Sequence, residues 1–591
     1  MKVASCAVFL IVALVRTSYQ KSTPQSDSYV AAVVEFSPID PTSPGESPAA
    51  INAAGYVSFI QKATEQNADI IVFPEDGLVT VNLPPREQMD SWSTVIPAPS
   101  RNYNPCIHST VNVSETLRTI SCAARDSLIY VVINTPEKVI CKNESCPGDG
   151  KLYYNTNVVF DRAGKIISRY RKTNLYREPQ FNLTAVPEIV TFDTDFGVTF
   201  GTFTCADILY KLPAMYLTRM LNVTDIIFPT AWFAELPFLT PLQVQIGWSF
   251  SEDVNLLVAG YNRPKFGNAG SGIYLGRRGI GKAVMPQTTT REIVVVEVPK
   301  KNHSSSAQRA RPPYSYSEEE ARQPVEEAEH HVHDELRRRR SLQVETSQLH
   351  EELRKKRNNE FEDRAKREDS KETFVPYQAD LSAYKSLSFN SSTTQELCDG
   401  EFCCNFNVEV SNVDPSSKYR FIIYDGTTTY QEPNVVGIRV CAVVLCANDT
   451  VTSCVFLEES QTNFDAITIN ATYPNYEDVL VFPSSVGANL FPLANWTYEE
   501  RYENKKVHIT ASLGTPSRNV VTCGLYTRDF SRDGLAEKTG WKIGTQWATL
   551  TALAIVSLFL IFLYRKGWRK PWHRDGQLSS EGGPYQHLHG R

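Results

Sequence analysis

From residue 27 to about residue 300 the chain alternates two patterns. Short, almost fully apolar runs read VAAVVEF (30–36), DIIVF (69–73), LIYVVIN (128–134), VTFGTFTC (198–205), DIIFP (225–229) and NLLVAGYN (255–262). Between several of them lie amphipathic stretches long enough for helices, Ile51–Gln66 and Ser114–Asp126 among them. Strands rich in β-branched residues and separated by helices predict an α/β domain whose sheets are covered on both faces. VVFDRAGKII (158–167) predicts a hairpin turning at Asp161–Gly164.

The pattern then breaks. Residues 301–375 are dense in Lys, Arg, Glu, Gln and Ser, and Leu342, Leu349 and Leu353 make no stripe wide enough for a core. A solvated, charged insertion is expected there. Arg337–Arg340 before Ser341 resembles a site for basic-residue-specific convertases. His330, His331 and His333 read as a surface cluster rather than a metal site, and no metal is expected anywhere in the chain. Residues 376–535 return to short strand patterns without helical periods, NFNVEV (405–410), YRFIIYDG (419–426), GIRVCAVVLC (437–446), VHITAS (507–512) and NVVTCGLY (519–526). They predict a smaller, mostly β domain.

Both ends are apolar. Lys2 followed by Val3–Val15 has the length of a secretory leader rather than a span, so residues 1–20 read as a signal peptide. Residues 547–564 (WATLTALAIVSLFLIFLY) are uncharged and followed by Arg565, Lys566, Arg569 and Lys570. This is the pattern of a membrane helix with its basic side in the cytoplasm, leaving 565–591 as a cytoplasmic tail. The expectation is a type I cell-membrane protein, anchored by one span, with nearly all of the chain extracellular.

Composition adds three constraints. At 591 residues the chain exceeds one core. A net charge of -6 gives no support for a nucleic-acid partner. Thirteen cysteines suit an oxidising compartment. One group is Cys106, Cys122, Cys141 and Cys146; the other, Cys398, Cys403, Cys404, Cys441, Cys446, Cys454 and Cys523, is odd in number, so it leaves at least one thiol over or paired elsewhere. Nine N-x-[ST] sequons, at Asn112, Asn143, Asn182, Asn222, Asn302, Asn390, Asn448, Asn470 and Asn495, all lie between leader and span, where glycans could be added.

Three strings could carry chemistry. In Phe73-Pro-Glu75-Asp76-Gly77, Pro74 ends the strand and sets Glu75 at the sheet rim, where partial burial would raise a carboxyl and suit it to act as a base. In Phe203-Thr-Cys205-Ala-Asp207, Cys205 closes a strand far from both cysteine groups, with a helix able to start after it, which suits a nucleophile. In Arg169-Tyr-Arg-Lys172-Thr-Asn174-Leu, Lys172 could stabilise an oxyanion. Singly these are an acidic turn, a structural thiol and surface charge. In this order they resemble the nitrilase superfamily, whose catalytic triad is Glu, Lys and Cys.

The match is closer to the vanin/biotinidase branch, through FPEDG (73–77), RYRKTNL (169–175), FTCADI (203–208), FPTAW (228–232) and SGIY (271–274). CDGEFCCNF (398–406), YDG (424–426) and RVCAVVLC (439–446) resemble that branch's C-terminal domain. The resemblance implies a nitrilase-like α-β-β-α sandwich over 27–300 followed by the vanin-like β domain. It implies amide hydrolysis through a Cys205 thioester, with Glu75 as base, Lys172 on the oxyanion and no cofactor. The implied substrate is a small-molecule amide, pantetheine first and biotin amides as the alternative; a cell-surface binding protein with an enzyme-like ectodomain is the rival from another class. Glu178 is the nearest candidate for the superfamily's second glutamate, and Trp232 for a pocket wall. Lys211-Leu212-Pro213 stands where the family has an acidic, His-containing segment.

Overall fold

The computed structural model describes residues 21–41, 47–142, 146–301, 374–431, 434–493, 496–514 and 516–534. The expected leader, the expected span at 547–564, the tail, nearly all of the charged insertion with Arg337–Arg340 and its histidines, and Asn143, Asn302 and Asn495 lie outside the described residues. Among the described residues no helix is long and apolar enough to cross a membrane.

In chain order the first region runs β1 (Ser28–Phe36), α1 (Ala49–Glu65), β2 (Ile70–Val72), α2 (Met89–Trp92), α3 (Glu115–Ser127), β3 (Tyr130–Ile140), β4 (Lys151–Phe160) and β5 (Ile166–Arg171). It continues with β6 (Thr191–Asp193), β7 (Thr199–Thr202), β8 (Asp225–Thr230), β9 (Glu235–Leu236), α4 (Pro241–Glu252), β10 (Asn255–Gly260), β11 (Ser271–Leu275), β12 (Ile280–Val284) and β13 (Arg291–Pro299). Two six-stranded sheets result, ordered β13-β1-β2-β3-β4-β5 and β12-β11-β10-β8-β7-β6.

The alternation of side chains along each strand builds the layers. On β1, Ala31 and Val33 point into the core between the sheets, with Val72, Ile227, Leu257 and Ala259. Ala32 and Val34 point the other way, onto the helices. There α1 presents Ala53, Tyr56, Ile60 and Ala63, the spacing of one helical face. α3 starts at Ser114, whose hydroxyl accepts the Leu117 amide, and buries Leu117, Ile120 and Ala124. Both helices were legible in the sequence. So was the hairpin: β4 and β5 pair antiparallel, and the Asp161 carboxylate takes the Ala163 and Lys165 amides.

The β region comprises β14 (Tyr377–Gln378), β15 (Lys385–Phe389), β16 (Thr393–Asp399), β17 (Phe402–Asn412), β18 (Lys418–Gln431), β19 (Asn434–Cys446), β20 (Asn463–Tyr473), β21 (Val479–Gly487), β22 (Trp496–Glu503), β23 (Lys506–Leu513) and β24 (Val520–Asp529). Two five-stranded sheets, β15-β18-β19-β24-β21 and β16-β17-β20-β23-β22, enclose a second sandwich core. The first of them also packs on α4, so that helix is buried on nearly every side, its Gln243, Gln245, Ser249, Ser251 and Glu252 included, and Trp248 is fully buried. Gly247 is required at the crossing, because a Cβ there would meet the Pro483 carbonyl of β21. The second helical layer of the α-β-β-α sandwich is therefore covered by β structure instead of facing water.

Disulfides join Cys106–Cys122, Cys141–Cys146, Cys398–Cys403, Cys404–Cys441 and Cys446–Cys454. Cys523, the odd member of its group, and Cys205 are free thiols. Among the sequons, Asn112, Asn222, Asn390 and Asn448 are exposed and Asn470 is half-buried. Asn182 is half-buried and its carbonyl is engaged by the Tyr153 amide and Arg86.

Candidate active site

Strand ends deliver the reactive groups. β2 stops at Val72, and the turn through Pro74 carries Glu75 past the sheet rim into a pocket where it is 2% exposed. The burial is deeper than the half-exposed turn the sequence implies. Asp76 follows in a left-handed conformation, φ 55°. Gly77 has no room for a side chain, since a Cβ would collide with the Tyr56 hydroxyl and Pro74.

Lys172 follows β5 and is pinned by its amide to the Asn155 carbonyl at 2.8 Å. Its ammonium lies 2.7 Å from Glu75 Oε1 and 2.5 Å from Glu178 Oε2. Asn155 Nδ2 donates to the same two carboxylates, at 2.9 Å to Glu75 Oε1 and 2.6 Å to Glu178 Oε1. The second oxygen of Glu75 accepts the Ala231 amide at 2.8 Å, and Glu178 Oε2 accepts the Tyr176 amide at 2.9 Å. Glu178, the candidate second glutamate, is thus in direct contact with the lysine.

Burial works against charge on Lys172, but Glu178 and then Glu75 outweigh it and hold the ammonium well above its ordinary range. Burial raises Glu178, despite Lys172. It also drives Asp76 well upward, helped by the charges of Glu75 and Glu178. Oxygens of Glu75, Asp76 and Glu178 lie within 4.8 Å of one another. A cluster of that kind could take a cation, and the Lys172 ammonium already contacts two of its three members.

β7 ends at Thr202, three residues before Cys205, so the strand is shorter than its apolar pattern. Cys205 opens a 3-10 turn, Cys205–Leu209, with φ 49°. A left-handed conformation is uncommon for a residue with a Cβ and often marks a functional site. A break and a second helical segment, Lys211–Met220, replace the single helix expected after the cysteine. Burial, then the charge of Glu75, push the thiol well above its ordinary range, while Lys172 pulls it down. Cys205 is therefore a protonated thiol within electrostatic reach of both.

Asp207 organises this turn. Its carboxylate accepts the Thr204 amide at 3.0 Å, the Asn174 amide and side chain at 2.8 Å each and the Tyr170 hydroxyl at 2.6 Å. Burial lifts it to about 6 against those bonds. Asn174 and Tyr170 come from the same string as Lys172, so that string fixes the cysteine turn as well as the lysine.

Trp232 is 9% exposed, its indole N–H donates to the Leu239 carbonyl at 2.8 Å and its ring belongs to the core beneath the second sheet. The useful atom at this place is the neighbouring Ala231 amide on Glu75. Asn268 Nδ2 fixes that backbone through the Ala231 and Trp232 carbonyls. Behind it the fully buried Glu35 accepts from Asn262, Gly270 and Ser271. Burial lifts Glu35 to about 7.

The sequence reading missed Asn155, Asn134, Asn157, Asp207 and Glu35. Asn134 Nδ2 bonds to Asn155 at 2.6 Å and Asn157 at 3.0 Å, making a buried amide chain behind the carboxylates. Asn155 and Asn157 left a signal, as paired asparagines on one face of a strand, and both are buried.

Similarity to known proteins follows the same division of the chain. The carbon-nitrogen hydrolase family matches residues 45–236, and the vanin C-terminal domain matches residues 373–533. Vanin-like protein 1 of Drosophila melanogaster is 33% identical over 547 residues, covering 86% of this chain and 87% of its own length. The biotinidase of Takifugu rubripes is 32% identical over 451 residues, covering 72% and 81%. The pantetheinase of Bos taurus is 40% identical over 260 residues, 42% of this chain and 51% of its own length, so that likeness is confined to half of each protein.

Proposed function

The chain belongs to the vanin-like family of carbon-nitrogen hydrolases, and on that premise we propose that it hydrolyses pantetheine to pantothenate and cysteamine. It is a hydrolase of carbon–nitrogen bonds other than peptide bonds. The observation that carries amide hydrolysis through sulfur is the buried Glu75–Lys172–Glu178 contact beside the free, buried Cys205, and the likeness to the Bos taurus pantetheinase supports pantetheine as the amide.

Because burial keeps the thiol protonated, a thiolate is not standing ready and a base must remove the proton as sulfur attacks. Glu75, held by Lys172, Asn155 and the Ala231 amide, is that base. Sulfur adds to the amide carbonyl, and the Lys172 ammonium stabilises the oxyanion. Glu75 passes the proton to the departing amine, leaving a Cys205 thioester. It then deprotonates water, which releases the acid and restores the thiol. Glu178 keeps Lys172 charged and oriented, since it offsets the burial that would neutralise the ammonium.

Five disulfides support placing this activity in an oxidising compartment. With the apolar ends of the sequence, they support a cell-surface enzyme whose active site is extracellular. Cysteamine release from pantetheine by the full chain, absent in Cys205→Ala, is the expected result. Turnover of biocytin but not pantetheine would replace the substrate, and inertness to both would favour a binding role.

A further inference from the structure

We propose that the C-terminal β region is a working part of the active site, with Arg528 as a positioning residue that fixes the Cys205 turn from its far end. Arg528 lies on β24 and is fully buried. Its Nε donates to the carbonyl of Leu209, the last residue of the turn that Cys205 opens, at 2.9 Å. Its other donors go to Asp533, at 2.9 and 2.8 Å, and to the Gly437 carbonyl. The guanidinium also faces the Tyr210 ring at 5.5 Å. A guanidinium is expensive to bury, and this one is held by a carboxylate and two carbonyls, one of which belongs to the other region.

The next residues of the nucleophile segment are tied the same way. Lys211 Nζ lies 3.1 Å from Asp478 Oδ1, and Arg219 Nη1 donates to the Tyr476 and Val479 carbonyls at 3.3 and 3.1 Å. Lys211, which departs from the family's acidic stretch, thus has a partner in the β region. Asp207 fixes the start of the turn from the first region, and Arg528 fixes its end from the second. A left-handed Cys205 between two such anchors has little freedom to rotate away from Glu75.

The inference rests on Cys205 being the nucleophile but not on the substrate, so its first readout is the rate at which iodoacetamide alkylates Cys205 in the full chain. Arg528→Met is compared with Arg439→Met, whose buried arginine pairs with Asp425 and Asp529 inside the β region. Arg528→Met is expected to slow alkylation and kcat about tenfold or more with KM for pantetheine changed less than about threefold. Arg439→Met is expected to lower Tm and leave the alkylation rate within about twofold. Wild-type alkylation in Arg528→Met overturns the proposal, as does equal slowing in Arg439→Met. Should Arg528→Met not fold, Lys211→Met at the half-exposed Lys211–Asp478 pair decides: slowing of about twofold or more supports the proposal, and an unchanged rate overturns it.

Discussion

Replacing Lys172 by Met removes the one ammonium in contact with Glu75 and Glu178, which lie 2.7 and 2.5 Å from it. At an effective dielectric constant of about 20 each contact is worth about 6 kcal/mol of gross attraction, most of it offset by the desolvation of buried charge. The net cost of deleting one partner of such a group is about 3–5 kcal/mol, because the remaining carboxylates stay buried and uncompensated. For a protein of this size that corresponds to a fall in Tm of about 5 °C near neutral pH. The sign of the pH dependence follows. Without the cation the carboxyls bind protons more tightly in the folded than in the unfolded chain, so the variant loses stability as pH rises above 4.5, the ordinary value of a glutamate. In the wild type Lys172 itself, raised above 10.5, contributes stability fully present at neutral pH and lost only in strong alkali. Thermal unfolding of both proteins across this range, with cysteamine release at each pH, makes the measurement. The variant should approach wild-type stability near pH 4.5, fall behind toward neutrality and lose about 10²–10³ in kcat. A Tm matching the wild type at neutral pH, or a gap that narrows as pH rises, would refute the electrostatic account.

Three further outcomes are expected. Asn155→Ala removes a donor shared by two carboxylates and should reduce kcat about tenfold, with Cys205 still alkylated. Glu35→Gln should gain on the wild type across pH 4.5 to about 7: a raised carboxyl contributes stability below its unfolded value and loses it on titrating, a difference of about 3 kcal/mol, so parallel Tm profiles would count against it. Gly77→Ala forces the Tyr56 hydroxyl or Pro74 to move, displacing Glu75, and should depress kcat more than Tm.

Most of the fold was legible because its strands are buried on both faces and its helices keep a clean apolar face, as in β1 and α1. The candidate site was legible where one string holds both a charged group and the residues that fix its surroundings, as Tyr170, Lys172 and Asn174 do. Glu178 was harder to place, because its bond to Lys172 depends on the loop after β5 folding back, with the Tyr176 amide on its carboxylate. Asn155 was missed for a related reason. It reaches Glu75 only after β4 pairs with β5 and sets it beside Lys172, and an asparagine-rich stretch read alone suggests a turn. Arg528 was beyond any local pattern, lying 319 residues from the carbonyl it holds.

The distribution of the disulfides has a consequence for chain integrity. Each of the five closes on its own side of the segment between Lys301 and Phe374. One peptide cut anywhere in that segment would therefore yield two polypeptides with no covalent tie among these bonds. They should separate in denaturing electrophoresis even without reductant. In native buffer they should stay together, through the pairing of β14 with β9, the Arg528–Leu209 bond and the packing of α4 against β21. Cut and uncut forms would then migrate alike under native conditions, and the nicked enzyme would behave as a heterodimer made from one gene product.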